Sequence, residues 1–345
     1  MKAAVLEELN KMVVKEVPEP EVGKGDVLVR IKACAICGSD IRTFHYGHKL
    51  VAPPRIIGHE MAGIITRAGG EVKGFKEGDR VTVATSVPCL TCDTCNRGYF
   101  NLCDNLTGVG FNYGGGFAEY SVIPEPVLRA NNLLKLPDNL SFEYASISEP
   151  LACCINGQEL SGVKKGDTVV IIGAGPIGCM NIAMARARGA NKIIVCQRSE
   201  ARLNIARRFG ADHYINSGNT DPIKEVTDIT NGRGADVVIV AAPSGEAQEQ
   251  ALHMAAKRGM VNLFGGLPRT KPTITFDSNL VHYKEIFVHG AYGSTAGQHQ
   301  EALNLLSSGR IDAKSFISGT VSLDRILEGF KMAEEGKLLK IVVLP

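Results

Sequence analysis

The chain has 345 residues, 44% of them hydrophobic and 21% charged, with a formal net charge of +2. That length exceeds one ordinary core and points to about two domains of roughly 150–200 residues, and scattered Lys and Arg without a like-charged run exclude a nucleic-acid arm or an acidic tail. No apolar stretch reaches the ~20 residues of a membrane span, and Glu7, Glu8 and Lys11 interrupt the place where a leader peptide needs an apolar run. The expected location is the cytoplasm, where ten cysteines read as metal ligands and core residues and not as a disulfide scaffold.

From Lys2 to about Ala130 short apolar runs (KAAVLEE, KMVVKEV, DVLVRIKACAIC, HEMAGIITRAG, DRVTVAT, FAEYSVIP) are broken by Gly, Pro and Asp, which predicts an all-β region with irregular loops. Ser141 before FEYASI predicts a short capped helix, and Glu149-Pro150 opens another, with Pro at the first helical position. From Asp167 to about Gly290 apolar strands (TVVIIGAG, NKIIVCQ, GADVVIVAAP, MVNLFGG) alternate with amphipathic helices (PIGCMNIAMARARGA, EARLNIARRFGA, EAQEQALHMAAKRG). This is the pattern of βαβ units around a parallel sheet covered on both faces. Helices in QHQEALNLLSSG and SLDRILEGFKMAEEG and a strand in KLLKIVVLP are expected to rejoin the first region.

Cys89, Cys92, Cys95 and Cys103 follow the spacing C-x2-C-x2-C-x7-C inside a lobe at about 86–106. Four thiolates suit tetrahedral zinc, and a closed thiolate shell leaves no position for substrate, so this metal is structural; an iron-sulfur cluster is the alternative that the same ligands allow. Two further pieces stand out, CGSD with Cys37, Ser39 and Asp40, and GHE with His59 and Glu60; Cys37 and His59 could hold a second zinc with a carboxylate, keeping one position open. By spacing alone, a single Cys and a single His in an all-β region are more often core or surface residues than ligands.

VVIIGAGPIG places Gly173, Gly175 and Gly178 after an apolar strand and at the head of a helix, the arrangement that brings backbone N–H groups to a dinucleotide pyrophosphate. The next strand ends in Gln197 and Arg198, with Arg202 one turn on, where an NAD site usually has a carboxylate. Losing that carboxylate removes its repulsion of a 2′-phosphate, and an arginine fork can bind one. A charge-assisted bond of about 1.5–3 kcal/mol corresponds to a ten- to hundredfold preference for NADP(H) over NAD(H). The alternative is a solvated surface patch shared with Arg207 and Arg208.

Taken in order, CGSD, GHE, the four-cysteine lobe, EPL at Glu149 to Leu151 and GAGPIG make the chain resemble the medium-chain zinc-dependent alcohol dehydrogenases, most closely their sorbitol (polyol) dehydrogenase branch. The resemblance implies an α/β protein with a GroES-like β-rich catalytic domain (1–150), a Rossmann domain with a doubly wound parallel sheet (151–291) and a return to the catalytic domain (292–345). It further implies two zinc ions per chain and a homodimer or homotetramer. Cys37 and His59 become ligands of a catalytic zinc, with Glu60 or Glu149 completing the shell or holding its water. Ser39 becomes the hydroxyl that relays the substrate proton, and Glu149 a base. Pro176, Ile177, Phe264 and Gly265 join the dinucleotide site, and Lys340 becomes a contact to the pyrophosphate.

The implied reaction is hydride transfer between a polyol, another secondary alcohol or a sugar phosphate and NADP or NAD. A sugar-phosphate dehydrogenase and an L-threonine 3-dehydrogenase share these motifs, and a non-catalytic nucleotide-binding relative is the reading outside enzymes. Retention of Cys37, Ser39, His59 and Glu149 argues against the last. One departure stands out: many family members have His five residues after the ligand Cys, where this chain has Arg42, which cannot give up its proton. The relay then ends in water or at His45, or Arg42 binds an anionic substrate.

Overall fold

The segment VLVRIKACA is buried at every position except Arg30 and Lys32, as expected of a strand with neighbours on both sides. In the computed structural model, which describes residues 1–345, this strand, Val27–Ala35, lies at the centre of the first of two units, Met1–Ala152 with Gly293–Pro345. It pairs antiparallel with Glu60–Ala68 on one side and Lys340–Leu344 on the other, and its first half also pairs with Tyr120–Ile123. Arg80–Val83 and Leu133–Lys135 extend the sheet beyond Glu60–Ala68, and Ile317–Ser322 extends it beyond Lys340–Leu344. Leu6, Ile31, Cys34, Ile57, Met61, Phe117 and Phe330 meet in its core.

Helices depart from the all-β expectation for this stretch: Asp93–Asn96 and Glu125–Arg129 are short, and one is longer. CGSDIRTFHY leaves the central strand and forms helix Gly38–Tyr46, with Asp40 at the third helical position accepting the Cys37 N–H at 2.9 Å. That bond satisfies a donor that the first turn would otherwise leave without a partner. Farther on, Ser141 caps Phe142–Ser146 by accepting the Tyr144 N–H. The following helix, Ser148–Leu160, begins two residues before Pro150, which therefore sits third in the helix and not first; its missing N–H is still one of those without an intrahelical acceptor.

The second unit, Cys153–Tyr292, is built on six parallel strands in the spatial order His213–Asn216, Lys192–Gln197, Thr168–Ile172, Ala235–Val240, Ala255–Leu263, Phe287–Gly290. This is the doubly wound order, with its switch between the two strands that start from the centre in opposite directions. The helical pattern EAQEQALHMAAKRG overran its element. Helix Gly245–Met254 stops at Met254, and Ala255 turns to extended backbone, because Ala255 pairs with Ala235 in the sheet and tertiary pairing overrides alanine's helix preference. Of the chain's helices, none is long and apolar enough to cross a membrane.

The glycine-rich turn explains its own sequence. Gly173 has φ +108°, and a Cβ on Gly178 would lie 1.9 Å from the Gly173 carbonyl oxygen, so helix and strand close against each other only without a side chain there. Gly178→Ala is expected to cost about 1–3 kcal/mol through overpacking, read as a lowered midpoint of thermal unfolding.

Candidate metal and dinucleotide sites

The antiparallel register gathers distant residues at one end of the first sheet. Ala35 lies opposite Glu60 on one side and Val342 on the other, so Cys37 just past its strand, Glu60 at the start of the second strand and Lys340 at the start of the third converge. Gly58, with φ +96° and the Phe117 ring 2.8 Å from where a Cβ would sit, turns the chain so that His59 joins them. The Cys37 sulfur, a His59 ring nitrogen and a Glu60 oxygen all lie within 4.8 Å of one another. Glu149 stands outside this trio, yet its carboxyl feels the charges of His59, Glu60, Lys340 and Asp40.

Asp40 holds the trio in place, and the sequence reading gave it no role. One carboxylate oxygen accepts the Cys37 N–H and the other, at 3.1 Å, faces His59 Nδ1. Both residues are nearly sealed from solvent, at 3% and 4% exposure. A carboxylate only accepts, so Nδ1 carries a proton; the Ser39 hydroxyl lies 3.2 Å from Nε2, the nitrogen left to face a metal. A carboxylate behind a histidine is the usual second layer of a metal site, and the Asp that follows Ser39 in CGSD was the available signal for it.

The donor set fits a divalent cation. Glu60 is wholly buried, its Oε2 in contact with the Lys340 ammonium, and neither oxygen receives a well-directed hydrogen bond. Burial opposes charge on His59, but Asp40 and Cys37 outweigh it and hold the ring well above its ordinary pKa, as an anionic cluster does to any cation it surrounds. Burial likewise opposes the Lys340 charge, and Glu60 and Cys37 raise its pKa nonetheless. Burial pushes Glu149 up to about 7, with His59 acting the other way and Glu60 adding to the rise. Lys340, expected at the pyrophosphate, also donates to the Ile36 carbonyl at 3.0 Å and is 3% exposed. Removing one partner of such a buried pair leaves an uncompensated charge, at about 3–5 kcal/mol.

Of the relay candidates, His45 has both ring nitrogens engaged at 2.6 Å, by Asn10 and Glu334. Arg42 is exposed and carries neither a hydrogen bond nor an ion pair.

The sulfurs of Cys89, Cys92, Cys95 and Cys103 likewise lie within 4.8 Å of one another. Cys92 and Cys103 are 3.8 Å apart, far beyond a disulfide bond and close to the edge of a tetrahedron with ~2.3 Å zinc–sulfur bonds. Backbone N–H groups already aim at the sulfurs: Cys92 at Cys89, Cys95 at Cys92, and Cys89 at Cys103. A hydrogen bond from Thr91, with backbone N–H groups, brings the Cys89 thiol down to about 5.

In the second unit Gly175 caps helix Pro176–Ala187, with Pro176 and Ile177 in its first turn. The Arg202 guanidinium reaches back over this turn, 3.0 Å from where a Gly175 Cβ would be. Gln197 ends its strand and folds its amide oxygen onto the Arg198 N–H at 2.7 Å, leaving Arg198 exposed. The Gly265 N–H bonds to Val240 O at 2.8 Å, its α-carbon lies against Ala242, and Phe264 packs on Gly157.

The model of the alcohol dehydrogenase GroES-like domain matches residues 23–138, and that of the zinc-binding dehydrogenase domain matches residues 176–308. Over 334 residues the chain is 37% identical to an L-threonine 3-dehydrogenase of Pyrococcus furiosus, covering 95% of this chain and 94% of that one. It belongs to the zinc-binding alcohol dehydrogenase family. It is also 32% identical to a sorbitol dehydrogenase of Bacillus subtilis, covering 100% of this chain and 97% of the other. Among solved structures, a zinc-binding dehydrogenase from Sinorhizobium meliloti 1021 bound to NADP superposes with a TM-score of 0.92 at 32% identity, covering 100% and 99% of the two chains. As a family member the chain is an oxidoreductase that uses zinc and a nucleotide cofactor, and the non-catalytic reading falls away. Asp40→Asn is expected to weaken zinc at the Cys37–His59–Glu60 site about 10–100-fold and to leave the four-cysteine metal in place, as measured by chelator competition followed by metal analysis.

Proposed function

We propose that the chain interconverts a secondary alcohol of the polyol class and its ketone, with NADP(H) preferred over NAD(H). The observation that carries this is the convergence of Cys37, His59 and Glu60 on one point, with the Ser39 hydroxyl aimed at the same ring nitrogen. Identity to the Bacillus subtilis sorbitol dehydrogenase supports the polyol class. Cys37, His59 and Glu60 hold one zinc, with Glu149 beside them, and Cys89, Cys92, Cys95 and Cys103 hold a second. When bound, the first ion supplies a Lewis acid that lowers the pKa of the substrate hydroxyl, and the dinucleotide supplies the hydride acceptor.

The protein's own groups do the rest. Asp40 fixes the His59 tautomer, so that Nε2 keeps its lone pair for the metal. Ser39 Oγ takes the substrate proton. Arg42 cannot receive it next, and His45 is held between Asn10 and Glu334, so the proton passes to water. Glu149, fixed in the first turn of helix Ser148–Leu160, is the base that acts through water. Arg198 and Arg202, with Gln197 in place of a carboxylate, favour a 2′-phosphate. The same reading takes the protein as a cytoplasmic homodimer or homotetramer, in keeping with its ten free thiols.

Nicotinamide absorbance followed over pentitols, hexitols, their phosphates and threonine, with NADP and with NAD, tests the proposal. A polyol that reduces NADP is the expected result, and protein with two zinc ions that turns over none of these substrates defeats it. Replacing Arg198 and Arg202 together with Ala is expected to lower kcat/KM for NADP about 10–100-fold and to change that for NAD little.

One observation favours a second reading of the substrate. Arg42 is exposed, unpaired and three residues beyond Ser39, hence on the same helical face, where it would meet a carboxylate or phosphate on the alcohol. Arg42→Ala then raises KM for threonine or a polyol phosphate about tenfold and leaves kcat alone; unchanged KM values for both the carboxylate-bearing and the phosphate-bearing substrate return the substrate to the neutral polyols.

A further inference from the structure

Helix Ala296–Ser307 carries a histidine with no solvent exposure, His299, in its first turns. The helix start is fixed by a reciprocal cap, in which Thr295 Oγ1 accepts the Gln298 N–H and Gln298 Oε1 accepts the Thr295 N–H. From there His299 Nε2 reaches the Ser148 hydroxyl at 2.7 Å, and that hydroxyl lies 2.5 Å from the Ala145 carbonyl. A serine hydroxyl has one proton, and a carbonyl can only accept. Ser148 therefore donates to Ala145 and accepts from His299, which places the ring proton on Nε2 and leaves Nδ1 with a bare lone pair.

That lone pair is buried and has no partner. Burial pushes the His299 pKa down to about 3, so the ring stays neutral and carries no proton between groups. An unsatisfied buried acceptor is unfavourable, and Phe or Leu would fill the space without it. What histidine supplies is one directed N–H, aimed at the residue before Glu149. Ser148 is itself wholly buried and is the first residue of helix Ser148–Leu160.

We infer that His299 is a positioning residue for Glu149: by donating to Ser148 it locks the first turn of that helix, and with it the direction from which the Glu149 carboxylate meets the Cys37–His59–Glu60 cluster. The inference rests on the reading of that cluster as the catalytic zinc site. His299 touches neither substrate nor metal, and it acts through a backbone step of one residue.

The test uses the full chain loaded with cobalt(II) in place of zinc, whose visible absorption reports ligand geometry, together with the rate at which a chelator strips each metal. His299→Phe is expected to shift the visible band and to speed loss of the metal at the Cys37 site about tenfold, with the four-cysteine metal unaffected. His299→Gln, whose amide offers a donor at similar reach, is expected to stay within about twofold of the parent protein. Ser148→Ala should behave like His299→Phe, and the double variant should be no worse than either single one, the mark of residues acting as one unit.

An unchanged band and metal-loss rate in Ser148→Ala would overturn the inference, even if His299→Phe failed to fold. Equal effects of the Phe and Gln substitutions would overturn it as well, since the directed N–H would then be irrelevant. A parent protein that holds only the four-cysteine metal would overturn the underlying reading of the zinc site, a result distinct from two metals that are indifferent to His299.

Discussion

Two hydrogen bonds to one carboxylate organise the Cys37–His59–Glu60 end of the first unit. Asp40 accepts the N–H of Cys37 with one oxygen and the ring N–H of His59 with the other, so the side chain that starts the motif helix also aims the histidine from a distant turn. Buried almost completely, it adds a charge that its surroundings must balance. As metal ligands, which bind deprotonated, Cys37 and Glu60 add more of the same sign, against one lysine, Lys340. A divalent cation is the natural remedy for that excess.

The rest of the first unit serves to bring these groups together. In an antiparallel sheet the end of one strand lies beside the beginnings of its two neighbours, and here those three positions belong to Cys37, Glu60 and Lys340. The second unit applies a different rule. Its parallel strands all finish at one edge, and at the switch point the glycine turn frees a helix N-terminus for a phosphate, with the Arg202 guanidinium already lying over Gly175.

Much of this was legible in the sequence, because the constraints act over short distances. Four thiols around one ion must be closely spaced, and a turn without side chains must be written in glycine, so CLTCDTCNRGYFNLC and GAGPIG declare themselves. Their order along the chain, and the family it implies, follow from those pieces. The partnership of Lys340 with Glu60 was not legible, since register alone joins them, and neither was the bond from His299 to Ser148, made across the fold. Helix Gly38–Tyr46 was hidden by its brevity, only Asp40 and Thr43 being buried in it. Strand His213–Asn216 was hidden by a sequence, HYIN, with one buried residue in four. Asp40 was in plain view beside Ser39; what it lacked was a visible partner.

The Lys340 ammonium and the Ile36 carbonyl that it meets are 304 positions apart, and the whole dinucleotide unit is encoded between the two segments of the catalytic one. During synthesis the four-cysteine lobe emerges early, while the central strand Val27–Ala35 waits for its last neighbour with one edge bare. Contacts of such long sequence separation form late and slowly. The Glu60 carboxylate is therefore without its lysine, and the central strand without one neighbour, for as long as the nucleotide half takes to translate.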